Sequence, residues 1–235
     1  MINLVMSMMN SSPTQLRTRI KFCGLTRAQD VQCAAQLGAD AIGFVFYPKS
    51  KRYLEPSQAG QLAAMVPAFV STVALFVEPE DSLVREVIAA VHPTYLQFHG
   101  DESPSDCERF DWPYIKAFRV GAPGLDTPEG LAQACLKYKT AKAWLFDSYT
   151  PAYGGSGHGF DRLLLSQVPD TLPMILSGGL KQDNIVSLLN QIHPWAVDVS
   201  SGVEVSPGVK SADLMAAFTH AIHQADARTA SPLSL

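Results

Sequence analysis

The chain has 235 residues, with 18 Lys plus Arg against 22 Asp plus Glu and a formal charge of −4, which excludes a broad basic face for nucleic acid. Hydrophobic residues make up 47% and charged residues 17%, a balance that excludes a disordered chain and allows a sizeable core. Four scattered cysteines, Cys23, Cys33, Cys107 and Cys135, form no CxxC pair, so a disulfide framework and a zinc site both lack their spacing.

Residues 1–18 carry no basic start and no apolar run long enough for a signal peptide or a membrane span, and read as a disordered extension with no membrane partner. Eight short apolar, β-branched runs follow, at 20–23, 41–47, 71–77, 95–99, 115–120, 144–149, 174–177 and 196–200. Each is nearly continuous in its hydrophobicity, the pattern of a parallel strand covered on both faces. Between them lie stretches with apolar residues three and four apart, such as Leu83, Val84, Val87, Ile88 and Val91, which read as helices. Gly38, Pro67, Pro93, Pro113 and Pro194 mark returns from helix to strand. Eight such units between Arg19 and Gln224 leave no room for a second domain and predict a single (β/α)8 TIM barrel of the α/β class, followed by a flexible tail over residues 225–235.

In that fold the chemistry sits where strands end, so polar residues at strand ends need a reason. The turns SGGL at 177–180 and DVSSGVE at 198–204 end the last two strands in small residues that allow close backbone approach. Gly178, Gly179, Ser200, Ser201 and Gly202 are therefore expected to cradle the phosphate of a small phosphorylated substrate. Cys23 ends strand 1, where a helix N-terminus or Lys21 would lower its pKa and make it a useful base. Asp147 ends an otherwise apolar strand 6, where desolvation would keep a proton on it and make it an acid. Pairing with Lys116, Arg119 or Lys142 is the structural alternative for this carboxylate. The glycine-rich segment 151–160 reads as a lid over the substrate.

KFCGLT at 21–26, GFVFYPKSKRYL at 43–54, LQFHGDE at 96–102, LFDSY at 145–149, GGSGHGFD at 154–161, LSGGL at 176–180 and DVSSGVE at 198–204 stand in barrel order. Together they resemble the phosphoribosylanthranilate isomerases of tryptophan biosynthesis, over essentially the whole barrel. The resemblance implies an Amadori rearrangement of an aminoaldose to an aminoketose, with no metal or redox cofactor. The unpaired cysteines fit reduced thiols in a cytoplasm, and a barrel of this size is expected to be a monomer or homodimer. The resemblance implies Asp147 as the general acid that opens the sugar ring and Cys23 as the base that removes the C2 proton. It also implies that Arg52 faces the anthranilate carboxylate, a use that suits a planar bidentate donor. His99 is expected to hold neighbouring loops and stays outside the catalytic pair. A histidine-pathway aldose–ketose isomerase is the neighbouring reading, but such enzymes typically place aspartates at both acid and base positions, and Cys23 argues against it.

Overall fold

The computed structural model describes residues 17–149 and 159–229. Eight parallel strands close in chain order into one barrel. They are β1 Arg19–Cys23, β2 Ala41–Val45, β3 Ser71–Phe76, β4 Tyr95–Phe98, β5 Tyr114–Val120, β6 Ala143–Ser148, β7 Met174–Leu176 and β8 Ala196–Val199. The helices are α1 Ala28–Gln36, α2 Pro56–Ala63, α3 Asp81–Val91, α4 Pro104–Glu108, α5 Pro128–Cys135, α6 Ile185–Ile192 and α7 Ala212–Thr229. Pro56, Pro104 and Pro128 each open a helix at its first position, where the missing N–H costs nothing.

Side chains alternate along each strand between the barrel interior and the helix layer. The outward set, including Phe22, Phe44, Phe76, Phe98, Phe118 and Phe146, belongs to the main core cluster between strands and helices. Rings stack from strand to strand there, Phe46 on Phe76 at 5.5 Å and Phe118 on Phe146 at 5.8 Å between centroids. The inward set forms an apolar plug of Val73, Ile115, Ala117, Ala143, Leu145, Ile175 and Ala196. Cys23, Val45, Leu75 and Val77 form a second interior cluster nearer the strand ends. Because the barrel is filled, function is confined to its mouth.

Three features depart from the expected pattern. After β6 the described residues hold a single 3₁₀ turn, Arg162–Leu165, in place of a helix. After β8 a second 3₁₀ turn, Ser201–Val203, leads into a two-stranded antiparallel hairpin, β9 Glu204–Ser206 and β10 Val209–Lys210, before α7 begins. The folded unit also extends past both expected boundaries. Asp226 accepts hydrogen bonds from the Thr18 N–H at 2.7 Å and the Thr18 hydroxyl at 2.8 Å, and Ala225 is buried, so burial and these bonds carry α7 beyond Gln224. Residues 1–16, 150–158 and 230–235, which include most of the expected lid, lie outside the described residues. Among the described residues no helix is long and apolar enough to cross a membrane.

Candidate active site

The C-terminal strand ends enclose a cleft of about 750 Å³, open to solvent, lined by Cys23, Arg52, His99, Asp147, Gly178, Gly179, Ser200, Ser201 and Gly202 among others. Every residue expected in the site from the sequence therefore reaches one cavity.

A buried polar layer supports this cleft from below. Lys21, Gln97 and Asp198 point inward from β1, β4 and β8, and the Lys21 ammonium donates to Gln97 Oε1 and to Asp198 Oδ1, both at 3.0 Å. An ammonium can only donate, so it fixes the orientation of the Gln97 amide. The amide nitrogen of Gln97 then lies 3.0 Å from His99 Nδ1, and His99 Nε2 lies 3.1 Å from Asp147 Oδ2. With Nδ1 accepting from the amide, the proton of the neutral ring stands on Nε2 and is donated to Asp147. The Ser148 N–H donates to Asp147 Oδ1 at 2.8 Å. Among the described residues Asp147 is bonded by His99 and Ser148, while Lys116 instead pairs with Glu102 at 2.8 Å, so Lys116 falls away as its partner. His99 holds the carboxylate in place, in keeping with a positioning role.

Cys23 departs from expectation in one respect. Burial pushes its thiol up, the Lys21 and Lys210 ammoniums pull it back, Asp198 pushes it further up, and the balance stays above the ordinary thiol value. The expected lowering by Lys21 is present but outweighed, because the lysine shares its charge with Asp198 and because α1 starts only at Ala28. Gly43 on β2 makes room for this arrangement. A Cβ there would stand 2.8 Å from Cys23 Sγ and 3.2 Å from Lys21 Cε. The other cysteines are on helices, and burial pushes Cys107 and Cys135 up to about 12.

Arg52 lines the cleft, and its Nε and Nη2 already donate to Glu204, at 2.8 and 2.7 Å. This side-on pair leaves the Nη1 and Nη2 end of the guanidinium for a ligand. Glu204 also accepts from Lys210 at 2.7 Å. Burial pushes Glu204 up, but Arg52 and Lys210 together hold its carboxyl below the usual value. Neither Glu204 nor Lys210 was singled out from sequence. The Pro207–Gly208 turn signal between them marks the hairpin that carries them, and only the fold reveals the pairing.

The glycines have separate tasks. Gly178, at φ +84, adjoins the acid, since a Cβ there would overlap Ser148 and stand 2.9 Å from Asp147 Oδ1. Gly179 also has positive φ, at +66, which suits glycine. Gly202 lets the turn after β8 pack on the strand 7 loop, because a Cβ there would overlap the carbonyl oxygen of Leu180. Backbone cannot swing aside as a flexible side chain can. Gly202→Ala is therefore expected to part the two turns at an overpacking cost of roughly 1–3 kcal/mol, read as a lowered Tm, and to weaken inhibition by inorganic phosphate. Unchanged phosphate inhibition in steady-state assays would remove the strand 8 half of the cradle.

Comparison with known proteins supplies the family. The family model described as N-(5′-phosphoribosyl)anthranilate (PRA) isomerase matches residues 20–221. An N-(5′-phosphoribosyl)anthranilate isomerase of Bordetella bronchiseptica is 55% identical over 214 residues, covering 90% of this chain and 98% of that protein. The crystal structure of phosphoribosyl anthranilate isomerase from Thermotoga maritima superposes with a TM-score of 0.80 at 37% identity, covering 88% of this chain and 99% of its own. A further crystal structure of the same kind of enzyme, in complex with reduced 1-(o-carboxyphenylamino)-1-deoxyribulose 5-phosphate, superposes with a TM-score of 0.75 at 33% identity, with 88% and 99% covered. On its fold, on a match across nearly the whole barrel and on this degree of identity, the chain belongs to the family of N-(5′-phosphoribosyl)anthranilate isomerases.

Proposed function

We propose that this isomerase of tryptophan biosynthesis carries out the Amadori rearrangement of N-(5′-phosphoribosyl)anthranilate to 1-(2-carboxyphenylamino)-1-deoxyribulose 5-phosphate, with Asp147 as general acid and Cys23 as general base. The observation that carries this reading is the convergence of a carboxyl group, a thiol, an arginine and two glycine-containing turns on one cleft. Asp147 gives its proton to the furanose ring oxygen as the C1–O bond breaks, leaving an open-chain Schiff base and a free C4 hydroxyl. The Cys23 thiolate then takes the C2 proton, and the electron pair moves to form the enolamine. Protonation at C1 and loss of the enol proton complete the ketose. The substrate is isomerised with no change in its composition, while Asp147 has lost one proton and Cys23 gained one, so exchange with solvent resets the pair. The sequence as written uses only proton transfers and calls on no redox cofactor or metal. The small phosphorylated substrate is held at its phosphate by Gly178, Gly179, Ser200, Ser201 and Gly202, and at its ring carboxylate by Arg52. The enzyme works in the cytoplasm as a monomer or homodimer.

An assay with freshly generated N-(5′-phosphoribosyl)anthranilate tests this reading, and product formation no faster than the spontaneous reaction rejects it. In the same assay, Arg52→Ala is expected to raise KM by about ten- to a hundredfold. It removes a charge-assisted hydrogen bond worth roughly 1.5–3 kcal/mol, and it should do so only for ligands with the ring carboxylate. Equal losses for ligands with and without that group would remove Arg52 from carboxylate binding.

A further inference from the structure

Glu204 and Lys210 lie behind the cleft, and neither lines it. They link its two anion-handling ends. Arg52, in the loop after β2, is bonded side-on to Glu204 at the start of β9. Glu204 accepts from Lys210 on β10, and the Lys210 ammonium donates to the carbonyl oxygen of Ser200 at 3.0 Å. Ser200 immediately precedes the 3₁₀ turn assigned to phosphate. The side chains of Arg52, Glu204 and Lys210 are 12%, 4% and 0% exposed, so the three joints are shielded from water and salt.

The linkage is also held from outside. The Arg52 stem crosses Gly24, at φ +72, where a Cβ would overlap Arg52 Cδ. The hairpin is fastened to the loop and helix after β1 by Thr26 Oγ1 donating to the Gly208 carbonyl at 2.6 Å. Arg27 Nη2 donates to the Lys210 carbonyl at 2.8 Å, and the Lys210 N–H donates to Asp30 at 3.3 Å. A free arginine would lose its rotamer freedom each time it met a ligand, whereas this one is already ordered.

We infer that Glu204 is a positioning residue for substrate selection: through Arg52 on one side and Lys210 on the other, it fixes the separation between the carboxylate and phosphate subsites. Ligands with both anions at that spacing are thereby selected over ligands with one. The inference rests on the carboxylate role of Arg52 proposed above. It runs against simple electrostatics, because removing the Glu204 charge leaves two uncompensated cations and would by itself tighten anion binding.

Isothermal titration calorimetry on the full chain tests it with three probes. These are a non-reactive reduced product analogue carrying ring carboxylate and phosphate, the same compound without the ring carboxylate, and inorganic phosphate. Glu204→Gln is expected to weaken the first about tenfold or more and the other two less than about threefold, with kcat/KM falling mainly through KM. In an Arg52→Ala background, adding Glu204→Gln should cost the first probe nothing further. Lys210→Met keeps the arginine–glutamate pair but releases Ser200, and should weaken both phosphate-bearing sugar probes and phosphate itself several-fold. Glu204→Asp, which keeps the charge but shortens its reach to Arg52 and Lys210, takes the place of Glu204→Gln if that variant fails to fold, with the same expected and overturning outcomes. Tighter or unchanged binding of the first probe by Glu204→Gln overturns the inference, as does an equal loss for all three probes. If Arg52→Ala fails to separate the two sugar probes, the carboxylate reading falls and the inference with it. If Arg52→Ala separates them and Glu204→Gln does not, the inference alone falls.

Discussion

Cys23→Ser is expected to lower kcat by about 10²–10⁴-fold while a non-reactive product analogue binds within several-fold of wild type. Serine fits the space left by Gly43 and keeps the neighbouring contacts, so the change is chemical rather than steric. An alcohol is a far weaker acid than a thiol and supplies no base for the C2 proton near neutral pH. The structure adds a pH dependence to this expectation. The base must be the thiolate, and burial holds the thiol above its ordinary value. The thiolate fraction in the free enzyme then grows tenfold per pH unit below that raised pKa, so the ultraviolet thiolate absorbance that Cys23→Ser removes should grow in from neutral into alkaline solution. The two ammoniums near the sulfur, Lys21 and Lys210, keep the thiolate accessible at all in so enclosed a place. Turnover of the serine variant close to wild type would refute Cys23 as the base.

Asp147→Asn should produce a loss of the same order in kcat, again with analogue binding retained. An amide has no proton to give the ring oxygen, so ring opening loses its acid while the shape of the site persists. The variant carries a small structural cost of a definite kind. Both carboxylate oxygens of Asp147 accept hydrogen bonds, one from His99 and one from the Ser148 N–H. An amide can accept only one of them, and whichever way it turns, its NH₂ meets another donor. A destabilisation of about 1 kcal/mol is expected, readable as a drop of a few degrees in Tm for a barrel of this size. A kcat near wild type would mean that ring opening is catalysed elsewhere. A loss of analogue binding in parallel with kcat would make Asp147 a binding group instead.

The sequence predicted much of the fold because burial on both faces leaves a simple mark. Runs such as AIGFV at Ala41–Val45 and STVALF at Ser71–Phe76 are apolar whichever way their side chains point, and they stand out with no knowledge of the partner strand. Lys21, Gln97, His99 and Asp198 are polar residues on such runs, yet the sequence does not show their mutual bonds, since most of the partners come from separate strands. The hairpin of Glu204–Ser206 and Val209–Lys210 is too short for any periodicity, and its Pro–Gly turn passes for an ordinary loop. The sign of the shift at Cys23 depends on a contest between burial and three charges, and only the folded geometry gives their distances. Residues brought to the cleft by strand-end position were legible. The partners behind them were hidden.

The contacts that build the cleft share a property with consequences for how the chain acquires its activity. Lys21 meets Asp198 across 177 residues, Arg52 meets Glu204 across 152 and Arg27 meets Lys210 across 183. Each joins the first quarter of the polypeptide to its last fifth, and each forms only when β1 and β8 pair to shut the barrel. Contacts this remote in sequence carry a large loop-closure cost and reward the chain late. A ribosome-bound chain stopped before β8 already possesses Cys23, Arg52 and Asp147 but has neither the turn after β8 nor the carboxylate that pairs with the arginine. The proposed site is therefore complete only once the last strand has joined the first.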